Sequence, residues 1–235
     1  MSQEKRVAIV QSNYVPWRGY FDLIASVDEF VLLDDVQYTR RDWRNRNRIK
    51  TEQGTRWLTI PVEVSGRYTQ NIDETRVAEP GWAEQHWSIV RQSYRDAAGF
   101  ETVAPFVEEV YESVASSSLS KVNRHFLEAI CRRLGIETPL TRSEDYAGEG
   151  VKTARLLDIC RKAGASTYVS GPSAKDYLDE DAFADEGIAV EWFEYGPYRQ
   201  YEQVHPPFDP QVSILDTLLC TGQAAAEHIR PVEPV

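Results

Sequence analysis

Polar and aromatic side chains suited to ligand binding are concentrated near the start of the chain. Residues 11–20 read Q-S-N-Y-V-P-W-R-G-Y and follow the apolar run Val7 to Val10. A second apolar run, Phe30 to Leu33, precedes a pair of aspartates. Because ligands of open parallel sheets lie at the carboxyl ends of strands, the polar residues after both runs are expected at one rim. They are Gln11, Asn13, Tyr14, Asp35 and Gln37. The alternative is that they are loop residues without a ligand.

Basic side chains are crowded into residues 40–50, although the chain as a whole has a net charge of -11. Because guanidinium groups donate paired hydrogen bonds to phosphate and carboxylate, this segment predicts a small anionic ligand such as a phosphate or nucleotide sugar. A solvated strand face paired with surface carboxylates fits the pattern equally well. The residues expected to bind are the rings of Tyr14, Trp17, Tyr38 and Trp43, the amides of Asn45 and Asn47, and the cations Arg44, Arg46 and Lys50.

Two residues are the candidates for catalysis. His86 begins a predicted helix, and imidazole is the side chain best suited to accept an amine proton near neutral pH. A surface or helix-capping role for His86 is the competing interpretation. Asp35 is expected to bind an acceptor hydroxyl or amine. No spacing of carboxylates and histidines predicts a metal site.

Composition excludes several other classes of function. The negative charge argues against nucleic-acid binding. No apolar run approaches the ~18 residues of a membrane span, and the first residues contain no signal-like stretch, so a cytoplasmic location is expected. The widely spaced Cys131, Cys160 and Cys220 predict buried thiols. Common nucleotide-binding and hydrolase motifs are absent from the sequence.

The elements that must position these residues alternate between strands and helices at both ends of the chain. After residue 135 the pattern predicts strands at 138–142, 167–170 and 188–193, with helices at 152–163 and 177–183. Such alternation is typical of a parallel sheet. A β-hairpin is predicted from Asn47 to Ile60. We therefore expect an α/β fold with a Rossmann-like, mostly parallel sheet.

A helical insertion is expected to interrupt this sheet. Its predicted helices are 82–94, 106–114 and 119–134, with Gly99 and Pro105 breaking the pattern between the first two. The resulting division gives residues 1–79 as an N-terminal α/β half. This half carries the motif loop (residues 11–20) and the basic segment (residues 40–50). Residues 80–135 form a helical subdomain, 136–222 a C-terminal α/β half, and 223–235 a weak tail.

Several long motifs run through the chain: Q-S-N-Y-V-P-W-R-G-Y-F, D-V-Q-Y-T-R-R-D-W-R-N-R-N-R-I-K, G-T-R-W-L-T-I-P-V, H-W-S-I-V-R-Q-S-Y and F-D-P-Q-V-S-I-L-D. With them the chain resembles the WbqC-like family over nearly its whole length. Ser12 stands where that family usually has proline. The resemblance implies a role in bacterial O-antigen and surface-polysaccharide synthesis, with transfer of glycine or another acyl group to an amino sugar. An acyl thioester, on coenzyme A or an acyl carrier protein, would be a co-substrate, with no tightly bound cofactor.

A weaker resemblance connects the chain to nucleotidylyltransferase-like α/β proteins. Trp17-Arg18-Gly19-Tyr20 occupies the place of their HxGH loop but lacks both histidines, so adenylyl transfer would be lost or altered. Nucleotide binding stays open as an alternative. So does a non-catalytic scaffold, for which Tyr195, Tyr198 and Tyr201 would form an exposed patch, unless they form a lid. A homo-oligomer is also left open.

Overall fold

The structure, a computed structural model, describes residues 4–232. The strands are β1 (Arg6–Val10), β2 (Glu29–Leu32), β3 (Arg46–Thr51), β4 (Gly54–Thr59), β5 (Leu140–Arg142), β6 (Thr167–Ser170) and β7 (Ala189–Trp192). The helices are α1 (Arg18–Ala25), α2 (Trp82–Tyr94), α3 (Phe100–Glu112), α4 (Leu119–Leu134), α5 (Ser143–Tyr146), α6 (Thr153–Lys162), α7 (Glu180–Asp185) and α8 (Ile214–Thr221). Short 3-10 helices occupy Pro172–Ala174 and Gly222–Glu227.

Five strands form one parallel sheet in the order β5-β2-β1-β6-β7. Counted along the chain, this is the 3-2-1-4-5 order of a doubly wound sheet, and it confirms the predicted Rossmann-like α/β fold. The order reverses between β1 and β6, where such sheets open a crevice at their carboxyl edge. β3 and β4 form a separate antiparallel hairpin, which confirms the predicted hairpin.

Alternate side chains of the strands bury opposite faces of the sheet, as strand geometry requires. Ala8 and Phe30 belong to a core that continues through α1 and the inserted helices α2 to α4. Val7 and Val31 belong to the core beneath α6 and α7. The inserted helices share one apolar core with the sheet. Buried residues of the hairpin and the motif loop pack into the same core, which holds both segments in position. The division into four parts stays a prediction.

The prediction that Pro105 breaks the helical pattern, with the second helix starting only at Phe106, is wrong. α3 begins at Phe100 and continues through Pro105 to Glu112. A proline inside a helix removes one backbone hydrogen bond. Here the exposed Pro105 is opposite a buried face that includes Val103 and Val107. Packing of that face against α2 and α8 outweighs the lost bond. Gly99 does separate α2 from α3, as predicted.

One further prediction about the second half of the chain is corrected. α7 begins at Glu180 rather than near Tyr177, because the Asp179 side chain caps it by accepting a hydrogen bond from the Ala182 N–H at 3.2 Å. Beyond α8, the Val232 N–H donates to the Pro197 carbonyl at 2.7 Å, and the assignment of residues 223–235 as a weak tail stays a prediction. Residues 233–235 lie outside the described part of the chain. No helix of residues 4–232 has the length and apolar character needed to cross a membrane.

Candidate functional site

A cavity of about 390 Å³ opens beside the loop that follows β1. We call it the indole pocket, because two tryptophan rings contribute to its walls. It is lined by Asn13, Pro16, Trp17, Trp43, Asn47, Pro210 and Gln211. None of these side chains ionises, so the pocket offers aromatic faces and amide groups rather than charge.

The loop from residue 11 to residue 17 is held in place by buried hydrogen bonds. Asn47 of β3 donates through Nδ2 to the carbonyls of Tyr14 at 3.1 Å and Val15 at 3.0 Å. Ser213, which precedes α8, donates through Oγ to the same Val15 carbonyl at 2.7 Å. Val15 has a positive φ of 36°, an uncommon conformation for a β-branched residue. These contacts stabilise that conformation and fix the wall of the pocket.

Trp17 is positioned by a glycine and a tyrosine. Its ring lies over Gly19, where an added Cβ would be only 2.4 Å from a ring atom. Its ring centroid is 5.2 Å from that of Tyr195. The Tyr195 hydroxyl reaches Gly171, just after β6. An aromatic row therefore connects the indole pocket with the carboxyl edge of the sheet beside β6.

Two arginines lie directly behind the lining residues of the indole pocket. Arg44 donates to Oδ1 of Asn13. Arg48 donates to the Gln211 backbone carbonyl at 2.8 Å and to its Oε1 at 3.3 Å. Both guanidinium groups therefore orient amide-bearing residues of the pocket. Arg44 is also paired with Asp42, whose Oδ2 lies 3.4 Å from its Nη2, whereas Arg48 places positive charge at the margin of the pocket.

A second cavity, of about 580 Å³, is also lined by residues of the basic segment 40–50. We call it the arginine cleft; it is lined by Tyr38, Arg40, Arg41, Asn45, Arg46, Thr59, Ile60, Pro61, Val62 and Val64. The two cavities are linked through Trp57. The Trp57 ring centroid is 5.4 Å from that of Trp43, and the Arg46 guanidinium lies 4.1 Å from the Trp57 ring centroid.

The family model described as the WbqC-like protein family matches residues 11–228. The chain belongs to this family. It is also similar to a Mycobacterium tuberculosis protein named "Uncharacterized protein Rv1507c", with 51% identity over 226 residues, or 96% of this chain and 98% of that protein. No solved structure matches the chain. Membership of the WbqC-like family indicates a polysaccharide-related function.

In this WbqC-like protein the predicted binding residues are divided between the two cavities. Asn13, Trp17, Trp43 and Asn47 line the indole pocket. Tyr38, Asn45 and Arg46 line the arginine cleft. Arg44 reaches the indole pocket only through its hydrogen bond to Asn13. The segment predicted to bind one ligand therefore faces two separate cavities.

Four other predicted binding residues do not line either cavity. Gln37 donates through Nε2 to the exposed Tyr68 carbonyl at 3.2 Å. Lys50 is buried and donates to the Pro207 carbonyl. The Gln11 carbonyl accepts the Tyr20 hydroxyl at 2.9 Å. Tyr14 is fully buried, so its ring is not open to a ligand in this structure, and its binding role stays a prediction without geometric support.

The two predicted catalytic residues lie apart from both cavities. His86 is buried, and its Nδ1 is 2.9 Å from the Tyr14 hydroxyl. Burial lowers the pKa of His86 to about 4, so it would be a weak base at neutral pH. Asp35 accepts a hydrogen bond from Ser143 Oγ at 2.6 Å and pairs with Arg155. These contacts join the end of β2 to α5 and α6, and the catalytic roles stay predictions without geometric support.

Pocket residues that sequence reasoning missed come from distant or apolar positions. Pro210 and Gln211 belong to F-D-P-Q-V-S-I-L-D, a motif recognised in the sequence but not placed in space.

The predicted patch of Tyr195, Tyr198 and Tyr201 does not form on the surface. The Tyr198 hydroxyl donates to Asp22 at 2.6 Å and that of Tyr201 to Asp216 at 2.7 Å. In the described range, 4–232, no three His, Cys, Asp or Glu side chains are grouped to hold a metal ion.

Proposed function

We propose that this protein binds a nucleotide-linked amino sugar in the indole pocket and transfers an acyl or aminoacyl group, with glycyl as one candidate, to the sugar amine. The pathway would be bacterial surface-polysaccharide (O-antigen) synthesis. The observation that carries the proposal is the pairing of two indole faces with the side-chain amides of Asn13 and Gln211 in one pocket. Family membership supports the link to polysaccharides.

The chemistry of the pocket suits a sugar ring. The C–H face of a pyranose packs on aromatic rings, and Trp17 and Trp43 offer such rings. Sugar hydroxyls both donate and accept, as do the side-chain amides of Asn13 and Gln211, whereas the Asn47 amide is already used to hold the loop. A volume of about 390 Å³ lies within the ~300–1,000 Å³ range of small-molecule sites. These features favour a neutral ring over a strongly charged group inside the pocket.

The charged part of the ligand would lie at the margin of the pocket. Arg48 contacts the lining residue Gln211, and its guanidinium group is suited to phosphate oxygens. The sugar would then enter the indole pocket while its diphosphate stays outside. This arrangement accounts for a neutral pocket in a basic segment.

The proposed step joins the amine of the sugar to an acyl group. The amine nitrogen attacks the thioester carbonyl carbon, the C–N bond forms and the C–S bond breaks. The thiol leaves carrying the proton that the nitrogen loses, so no cofactor is consumed. The pocket would contribute by holding the amine in position, since orientation alone supplies a large part of such rate enhancements.

Binding is tested by calorimetric titration with a UDP-linked amino sugar. We expect Trp43→Ala to weaken binding about tenfold, because it removes one indole face. Tyr177→Ala removes an exposed ring that lines neither cavity and is the matched control. Equal affinities for the wild type and Trp43→Ala would contradict the proposed sugar site.

Transfer is tested separately by mass spectrometry of the sugar nucleotide after incubation with acyl and aminoacyl thioesters. A mass increase equal to the acyl group would support transfer. Binding without any product from this donor panel would remove the transferase part and leave a sugar-binding protein.

The 3-2-1-4-5 strand order favours nucleotide binding as a second candidate. In that case ATP or CTP alone would raise the melting temperature as much as a sugar nucleotide does. A larger rise with the amino sugar present would favour the first proposal.

A further inference from the structure

The arginine cleft contains positive charge without matching carboxylates. Arg40, Arg41 and Arg46 line it, and no Asp or Glu is among its lining residues. Arg40 donates instead to the Val64 carbonyl, and Arg46 to the Arg41 carbonyl. A concentration of unmatched cations in a concave site attracts anions, and it stands out in a chain of net charge -11.

Part of the lining of the arginine cleft is apolar. It is formed by Ile60, Pro61, Val62 and Val64, next to the buried Tyr38. The wall is firmly held, because Asn45 Nδ2 donates to the Ile60 carbonyl at 2.8 Å and the Ile60 N–H donates to the Asn45 carbonyl at 2.8 Å. A bare inorganic anion would leave this wall unused. The combination is suited to a phosphate ester that carries a less polar extension.

We propose that the arginine cleft is a second ligand site, separate from the indole pocket, that binds a phosphate ester or diphosphate together with its organic arm. In the transferase scheme, on which this inference rests, the ligand is the acyl donor, with its phosphopantetheine arm along the apolar wall. A nucleoside diphosphate shares the same chemistry and is the other source to be distinguished.

The position of the cleft suits a donor site. Asn45 lines the arginine cleft, and Asn47, only two residues further along the same segment, lines the indole pocket. Residues two apart on an extended chain are separated by roughly 7 Å. Trp43 of the indole pocket has its ring centroid 5.4 Å from that of Trp57, and the guanidinium group of Arg46 in the arginine cleft lies 4.1 Å from the Trp57 ring centroid. An acyl group carried in one cavity would therefore end near an amine held in the other.

Calorimetric titration of the full chain with coenzyme A, UDP and pyrophosphate tests the site. The variant R40Q/R41Q removes two exposed cations of the cleft, and R56Q/R95Q removes two exposed cations elsewhere, one of them on the same hairpin. We expect coenzyme A binding to weaken about tenfold or more in R40Q/R41Q and less than about twofold in R56Q/R95Q. Trp17→Ala, which removes the other indole of the sugar pocket, should leave coenzyme A binding unchanged, and this separates the arginine cleft from the sugar pocket.

Each outcome decides a point. Arginine-dependent binding of coenzyme A supports a donor site, and arginine-dependent binding of UDP supports the same site with a nucleoside diphosphate as its source. Absence of binding by all three probes overturns the site. Equal weakening in the two double variants also overturns it, since only net charge would then matter. Loss of sugar binding in Trp17→Ala, with these results unchanged, bears on the indole pocket alone.

Discussion

Tyr14 and His86 form a buried hydrogen bond, with 2.9 Å between the Tyr14 hydroxyl oxygen and Nδ1 of His86. The same hydroxyl lies 2.7 Å from that of Tyr111. Burial lowers the pKa of His86 from 6.5 to about 4, so the imidazole is neutral at pH 7. His86 thereby joins the motif loop to α2 and stabilises the back of the site.

We expect His86 to make the protein less stable as the pH falls from 6.5 to 4. The unfolded chain takes up a proton on this imidazole in that window while the folded chain does not, so acid favours unfolding. The stabilisation is complete above pH 6.5, and about 3 kcal/mol of it is lost by pH 4. Urea unfolding across this range measures the slope.

His86→Gln should flatten this part of the pH profile, and His125→Gln serves as the control on α4. An unchanged slope in His86→Gln would contradict the assigned burial. If instead His86→Gln abolished transfer at pH 7 in fully folded protein, the general-base prediction would be supported.

Gly19→Ala is expected to disturb the indole pocket without removing any atom from its lining. The added Cβ would lie 2.4 Å from the Trp17 ring, so the indole must move. We expect amino-sugar affinity to fall about tenfold, while helix propensity in α1 improves. Calorimetry measures the loss.

The matched test of Gly19→Ala uses a Trp17→Ala background. There the new methyl group has no ring to displace, so it should add no further loss of affinity. An additional loss in that background would mean that Gly19→Ala acts through another part of α1.

The sheet was predictable because its central strands are short continuous apolar runs. Val7 to Ile9 and Phe30 to Leu32 are buried, as is typical of the strands of a parallel sheet covered on both faces. Element ends were less predictable where tertiary packing overrides local preference. At Pro105 the sequence pattern predicts a break, but buried residues before and after the proline keep the chain helical there.

The site was predictable only in part, because residue type does not reveal burial. Trp17, Trp43 and Asn47 were found since they stand in a dense polar-aromatic segment. Tyr14 and His86 have equally suitable chemistry, but they pack against each other in the core. No local signal separates these groups, since the difference depends on contacts with α2 and α3 far along the chain.

Asp216 is expected to be essential for stability. It is fully buried and accepts hydrogen bonds from the hydroxyls of Tyr94 at 2.8 Å and Tyr201 at 2.7 Å, and from Gln203 Nε2 at 2.8 Å. Asp216→Asn replaces one carboxylate oxygen with an amide NH2 group, which cannot accept hydrogen bonds from these donors. We expect a loss of about 3 kcal/mol in the free energy of unfolding, measured with urea.

The control for Asp216 is Asp96→Asn, the same substitution at an exposed carboxylate. It should change stability by less than about 0.5 kcal/mol. A similarly small change in Asp216→Asn would show that the three donors find other partners, and that α8 does not depend on this carboxylate.

Arg18→Lys should loosen the segment that follows β7, although the charge is kept. The Arg18 guanidinium lies 4.9 Å from the Tyr198 ring centroid and donates to the carbonyls of Arg199 at 2.8 Å and His228 at 3.3 Å. A lysine ammonium lacks the planar, forked donor geometry. We expect a loss of about 2 kcal/mol, with faster amide exchange in residues 195–210.

The matched control for Arg18 is Arg95→Lys, which changes an exposed arginine and should alter stability by less than about 0.5 kcal/mol. Hydrogen exchange localises the effect, because the aromatic row beside Trp17 includes Tyr195 and Tyr198 of the loosened segment. Weakened amino-sugar binding in Arg18→Lys would follow from a displaced Trp17. Unchanged exchange in residues 195–210 would mean that the tyrosines are held by Asp22 and Asp216 without help from the arginine.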